Sequence, residues 1–132
     1  NSKIQTTDDL KNILSRFAQK GKEQKFFAQV FQALRIEVND ELSALRALLE
    51  QSGELIKKGG RLSAISYHSL EDRLVKNFIA KGKFEGELEK DFYGNPQRIF
   101  KAVNRKPISA SESELGANSR SRSAKLRIGE KI

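Results

Sequence analysis

The chain has no cysteine, no methionine, no tryptophan and a single histidine in 132 residues. Without cysteine there is neither a disulfide framework nor a thiolate metal site, and one histidine leaves no cluster with zinc-like spacing. No metal site is therefore expected. The missing methionine, with a start at Asn1-Ser2-Lys3, reads as a piece cut from something longer. No stretch approaches the roughly 20 apolar residues that span a bilayer, and no signal-peptide pattern opens the chain. A cytoplasmic protein without a membrane partner is the expectation.

What is present is basic charge on a chain of ordinary domain length. Apolar residues make up 37%, enough for a modest core. The net charge is +8 and the isoelectric point about 9.8. Lysine and arginine neutralise phosphates and release their counterions, so nucleic acid is the leading partner. The excess is uneven. From Arg105 to Ile132 seven basic residues stand against Glu112, Glu114 and Glu130, so the tail supplies four of the eight charges. A solvated surface that merely keeps the protein soluble is the plainer reading of the same numbers.

The most informative run is GGRLSAISYHSLEDRLVK, Gly59 to Lys76. Leu62, Ala64 and Ile65 supply a short apolar strand, and Ser66, Tyr67 and His68 crowd polar groups where it stops. Strand ends of this kind hold the ligands of α/β enzymes. Ser69 and Asp72 stand at capping-box spacing, with Ser69 expected to cap the following helix. That helix runs from Leu70 to about Ala80 with Leu74, Val75, Phe78 and Ile79 facing inward. Glu71 and Asp72 in its first turn would repel a phosphate, so the turn suits a hydroxyl, an amine or a cation instead. Ser66, His68 and Asp72 also suggest a hydrolase triad, but no GxSxG elbow or oxyanion loop accompanies them.

Elsewhere the pattern is mostly helical. Thr7 reads as a cap, with Asp8 and Asp9 in the first turn, a stripe at Leu10, Ile13, Leu14 and Phe17, and Gly21 as the terminator. A long helix follows: Phe27, Val30, Phe31, Leu34, Val38, Leu42, Leu45 and Leu49 recur at spacings of three or four, to about Ile56. Lys83 to Pro96 reads as a charged, aromatic surface loop. Gln97 to Asn104 and Ala124 to Ile132 alternate as strands, with one or two helical turns within Ser109 to Ala117.

Three blocks carry a resemblance. FQALRIEVNDEL (Phe31 to Leu42), GGRLSAISYHSLEDRLVKNF (Gly59 to Phe78) and KPISASESELGANSRSRSAKLR (Lys106 to Arg127) resemble the MraW-type family. These are bacterial S-adenosylmethionine-dependent methyltransferases that modify a cytosine exocyclic amine in small-subunit (16S) ribosomal RNA. The resemblance implies an α/β fold: the C-terminal half of a class I (Rossmann-like) methyltransferase domain, plus helices from an α-helical insert that recognises RNA. It places residues 1–25 at the end of the insert and 26–132 in the methyltransferase domain. S-adenosyl-L-methionine is the implied cofactor of the full-length protein. The family's Gly-rich cofactor loop has no counterpart among these nine glycines, none of which forms a GxGxxG. Its main site is expected upstream of this chain, and the chain alone is expected to be inactive.

Methylating an aromatic amine requires its delocalised lone pair to be localised toward the sulfonium methyl, by groups that orient the amine and accept its proton. His68 is the candidate for that acceptor, with Ser66, Ser69 and Glu71 as pocket neighbours; a purely structural turn residue is the competing role. Gln32, Arg35 and Asn39 form a polar stripe that meets RNA or the cofactor pocket, with Arg35 and Asn39 as candidate pocket residues, or else an Arg35–Asn39 pair ties the helix to neighbouring loops. Arg120, Arg122, Lys125 and Arg127 resemble the family's C-terminal signature and are candidate RNA contacts, although some of them are equally suited to closing the sheet. Two other classes remain open, a noncatalytic RNA-binding module and a protein-interaction domain. A central strand at Leu62 to Tyr67 would lack a partner on one edge in a half-domain, so self-association is expected.

Overall fold

The computed structural model describes residues 3–132, so Asn1 and Ser2, the first residues of the expected insert end, lie outside the described residues. The chain divides into two units, Asn1–Glu41 and Leu42–Ile132.

In the first unit, α1 (Thr7–Leu14) is capped by Thr6, not by Thr7. The Thr6 hydroxyl accepts from the Asp9 N–H at 3.1 Å, and the Asp9 carboxylate accepts from the Thr6 N–H at 2.9 Å. Asp9 stands three residues beyond Thr6, whereas Leu10 stands three beyond Thr7, so only Thr6 can close the reciprocal box. A 3-10 turn (Ser15–Phe17) follows. The expected long helix is two helices. α2 (Glu23–Asn39) ends at Asp40, whose φ of 50° is left-handed, and α3 (Glu41–Leu55) begins immediately afterwards. Aspartate is among the few non-glycine residues that tolerate this conformation, and the apolar periodicity does not register such a single-residue break.

The second unit is mixed α/β. Its elements after α3 are β1 (Arg61–Ser66), α4 (Ser69–Lys81), β2 (Phe100–Ala102), α5 (Glu112–Ala117), a 3-10 turn (Ser119–Ser123) and β3 (Lys125–Lys131). Gly60 admits no side chain before β1, because a Cβ there would lie 2.7 Å from Ile56 Cγ2 and 2.9 Å from the Lys57 carbonyl. Gly82 closes α4 in the left-handed conformation, its N–H donating to the Phe78 carbonyl.

The sheet order is β1-β3-β2, with both pairings antiparallel. β1 therefore pairs on one side only, and its other edge has no strand beside it among the described residues. Leu74, Val75, Phe78 and Ile79 of α4 form the core with Leu49 of α3 and Phe100 of β2. Leu62 and Ala64 pack against them from β1. The opposite face of β1 is uncovered, with Ile65 61% exposed. β3 is pressed close to α4 at Gly129, where a Cβ would meet Ile79 and Phe100 at 3.1 to 3.2 Å.

Candidate functional site at the end of β1

The turn from β1 into α4 is built by reciprocal hydrogen bonds, and the capping residue is His68, not Ser69. His68 Nδ1 accepts from the Glu71 N–H at 3.4 Å, and Glu71 Oε2 accepts from the N–H groups of Tyr67 at 2.9 Å and His68 at 3.4 Å. Ser69 is the first helical residue and is exposed. The capping box thus sits one residue earlier than the Ser69–Asp72 spacing suggests. Asp72 is unavailable to the box because its carboxylate faces β3.

There Arg127 forks onto it, Nε donating to Oδ1 at 2.7 Å and Nη2 to Oδ2 at 3.1 Å. Lys125 Nζ lies 3.6 Å from Oδ2. Both side chains of the Asp72–Arg127 pair are about one-eighth exposed. The Arg127 hydrogen bond holds the Asp72 carboxyl below its ordinary range against the opposing effect of burial, with the charges of Arg127 and Lys125 assisting. The pair fastens the first turn of α4 to β3, since Arg127 pairs across the sheet with the inward-facing Ala64.

A neutral His68 ring that accepts at Nδ1 carries its proton on Nε2. The capping geometry therefore makes His68 a donor at its free nitrogen, and accepting an amine proton there would require the tautomer to change. Nε2 lies 3.1 Å from Glu71 Oε1 without the alignment of a hydrogen bond, and it is the single buried side-chain polar atom left unpartnered among the described residues. Ser66 is buried, its hydroxyl 3.5 Å from the Lys125 carbonyl. Along the unpaired edge of β1 runs a groove of about 430 Å³, walled by Leu45, Leu48 and Leu49 of α3, with Ser66 and Glu71 among its polar groups.

Arg35 and Asn39 both turn to Glu41, Arg35 Nε at 2.9 Å and Asn39 Nδ2 at 3.3 Å from Oε1, bonds that tie the end of α2 to the first residue of α3. Arg120 and Arg122 lie exposed in the 3-10 turn before β3, with no ion pair among the described residues. Asn104 was not singled out by sequence. It clamps the chain after β2 to β3, donating to the Lys106 and Leu126 carbonyls and accepting from the Ile128 N–H at 2.8 Å. No periodic pattern marks such a residue. No described helix is long and apolar enough to cross a membrane.

Comparison with known proteins agrees with the three blocks. The model of the MraW methylase family matches residues 1–132. The chain is 65% identical over 128 residues to the ribosomal RNA small subunit methyltransferase H of Amoebophilus asiaticus, covering 97% of this chain and 41% of that protein. It is 59% identical over 131 residues to the protein of the same name from Cytophaga hutchinsonii, covering 99% of this chain and 44% of the relative. A third, from Parabacteroides distasonis, is 55% identical over 130 residues. The chain thus spans less than half the length of these relatives, and it belongs to the MraW methylase family.

Proposed function

We propose that the full-length protein carrying this chain methylates small-subunit (16S) ribosomal RNA in the cytoplasm, with S-adenosylmethionine as methyl donor and a cytosine exocyclic amine as acceptor. The observation that carries this reading is the β1 terminus: a capped polar turn at a strand's C-terminal end, beside a groove along that strand's unpaired edge. Ligands of α/β sheets bind at such ends. The retention of residues 1–25 as the end of a helical insert, and of 26–132 as methyltransferase domain, is part of the same proposal.

The residues present do not fit the cofactor by themselves. The Tyr67 and His68 N–H groups at the turn are already taken by Glu71, and Asp72 is neutralised by Arg127. No glycine cluster follows a strand end. No catalytic step is therefore assigned through the methyl donor, and the isolated chain is proposed to be inactive. What this chain contributes is substrate-side geometry. His68 holds the turn as its cap, Ser66 and Glu71 line the groove end, and Arg120, Arg122 and Lys125 supply cations for phosphates. Arg127 serves Asp72 first, so its contribution to RNA is through the sheet it holds. Arg35 and Asn39 are proposed to shape the end of α2, and Ser69 to stay accessible at the helix start.

Incubating the full-length protein with isotopically labelled S-adenosylmethionine and small ribosomal subunits from cells lacking the enzyme tests the reading. Label recovered in an N4-methylated cytidine supports it. RNA binding without transfer would favour a noncatalytic module, and neither activity would favour a protein-interaction domain.

A further inference from the structure

The two most exposed large hydrophobic residues among the described residues sit side by side at a loop tip. Phe92 is 97% exposed and Tyr93 85%. A single apolar residue in water needs no explanation, but these two rings are displayed by a built turn. Asp91 Oδ1 accepts from the N–H groups of Tyr93 at 2.9 Å and Asn95 at 2.8 Å, and Oδ2 accepts from the Asn95 side chain at 3.0 Å. The Gly94 N–H donates to the Asp91 carbonyl, with φ of 84° at Gly94, and the Asp91 N–H donates to the Asn95 carbonyl. Below the tip, Lys90 bridges to Pro96 and the Gln97 N–H donates to the Glu89 carbonyl at 2.7 Å. The polar atoms fold inward to make the turn, and the rings are what it presents.

The foot of this loop gathers cations, although Glu85, Glu87, Glu89 and Asp91 equal Lys81, Lys83, Lys90 and Arg98 in number; Glu85 pairs with Arg46 at 3.1 Å and Asp91 is spent on the turn. Lys81, Lys83 and Arg98 line a groove of about 420 Å³ in which Glu89 is the acidic residue, and Lys83 neutralises that carboxylate at 2.7 Å. Exposed Lys90 and Arg98 form no ion pair among the described residues. Exposed aromatic faces beside unpaired cations such as Lys90 and Arg98 suit unpaired nucleic acid, since any base stacks on a ring while lysine and arginine follow the phosphates. The two rings are 5.6 Å apart and nearly perpendicular, at 88°, so they offer faces in two directions and do not consume each other in a stack. A duplex, its bases already stacked, gains little from them.

We propose that the Phe92–Tyr93 tip is a stacking platform for unpaired bases of an RNA strand whose phosphates pass along Lys90 and Arg98. This rests on the RNA-substrate reading above and adds a recognition element distant in sequence from the β1 terminus.

The test uses the full-length protein with two fluorescently labelled probes, an unstructured 12-nucleotide RNA and a 12-base-pair RNA duplex. Phe92→Ala and Tyr93→Ala should each weaken the single strand about fivefold or more, and the double variant further, while duplex affinity changes less than about twofold. Phe92→Trp should retain single-strand binding. Lys90→Gln with Arg98→Gln should weaken binding and flatten its salt dependence. An unchanged single-strand affinity in the double alanine variant overturns the proposal, as does an equal loss on both probes. A fall in melting temperature of several degrees also overturns it, because the rings would then be packing against protein. If the wild-type protein transfers methyl groups to ribosomal RNA while the double variant binds the single strand normally, only this platform fails. If the wild type binds neither probe, the platform is overturned, and methyl transfer to small ribosomal subunits decides the RNA reading separately.

Discussion

Removing the guanidinium at position 127 is the sharpest perturbation the fold offers. Asp72 and Arg127 meet through two hydrogen bonds of 2.7 and 3.1 Å, with both side chains about one-eighth exposed. Breaking a fully buried pair from one side costs about 3–5 kcal/mol, because the remaining charge is left without compensation. Here Lys125 stays 3.6 Å away with a side chain 44% exposed, and solvent reaches the turn, so Arg127→Met is expected to cost about 2 kcal/mol. Replacing both partners, Asp72→Leu with Arg127→Met, should recover most of that loss. The assay is urea denaturation of the four members of the double-mutant cycle, followed by circular dichroism with the m-value checked for constancy. A coupling energy below about 0.5 kcal/mol, the range of exposed ion pairs, would refute the argument that this contact fastens α4 to the sheet.

The same pair predicts a pH dependence of definite sign. Arg127 depresses the folded-state pKa of Asp72, so the stabilisation is fully present above the ordinary carboxyl value of 3.8 and is lost as pH falls through the lower folded value. Arg127→Met should therefore flatten the acid limb of the stability profile below about pH 4, and an unaltered limb would count against the assignment. His68→Ala should lose a helix cap, about 1 kcal/mol, whereas Ser69→Ala should stay within about 0.5 kcal/mol and His68→Asn should restore most of the loss. Thermal unfolding decides it, and a costlier Ser69→Ala would place the cap where the sequence alone suggested. Gly129→Ala should destabilise by about 1–3 kcal/mol in urea, since the added methyl meets Ile79 and Phe100 at 3.1 to 3.2 Å. The isolated chain should self-associate through the unpaired edge of β1, and Ser63→Lys should suppress this by placing charge on that edge. Light scattering over a concentration series would show it, and a strictly monomeric particle at every concentration would refute it.

The amino-acid sequence by itself determined the local grammar of this protein. Apolar residues at three- and four-residue spacing placed α4 and its buried face, Leu74, Val75, Phe78 and Ile79, and a short apolar run before a polar cluster placed β1 and its turn. Charge and the three family blocks pointed to RNA and to the methylase family, the second of which the comparisons establish. Choices between neighbouring positions escaped it. His68 with Glu71 and Ser69 with Asp72 offer the same spacing one residue apart, and the tie is broken by a partner 55 residues away, Arg127, which draws Asp72 toward β3. A left-handed Asp40 splits α2 from α3 without disturbing the apolar period. The tertiary structure alone decided the strand order β1-β3-β2, the antiparallel pairing of both neighbours and the Asp91 turn that displays Phe92 and Tyr93. Periodicity records which face of an element is apolar, but pairing, long-range charge contacts and uncovered edges depend on what the rest of the chain brings alongside.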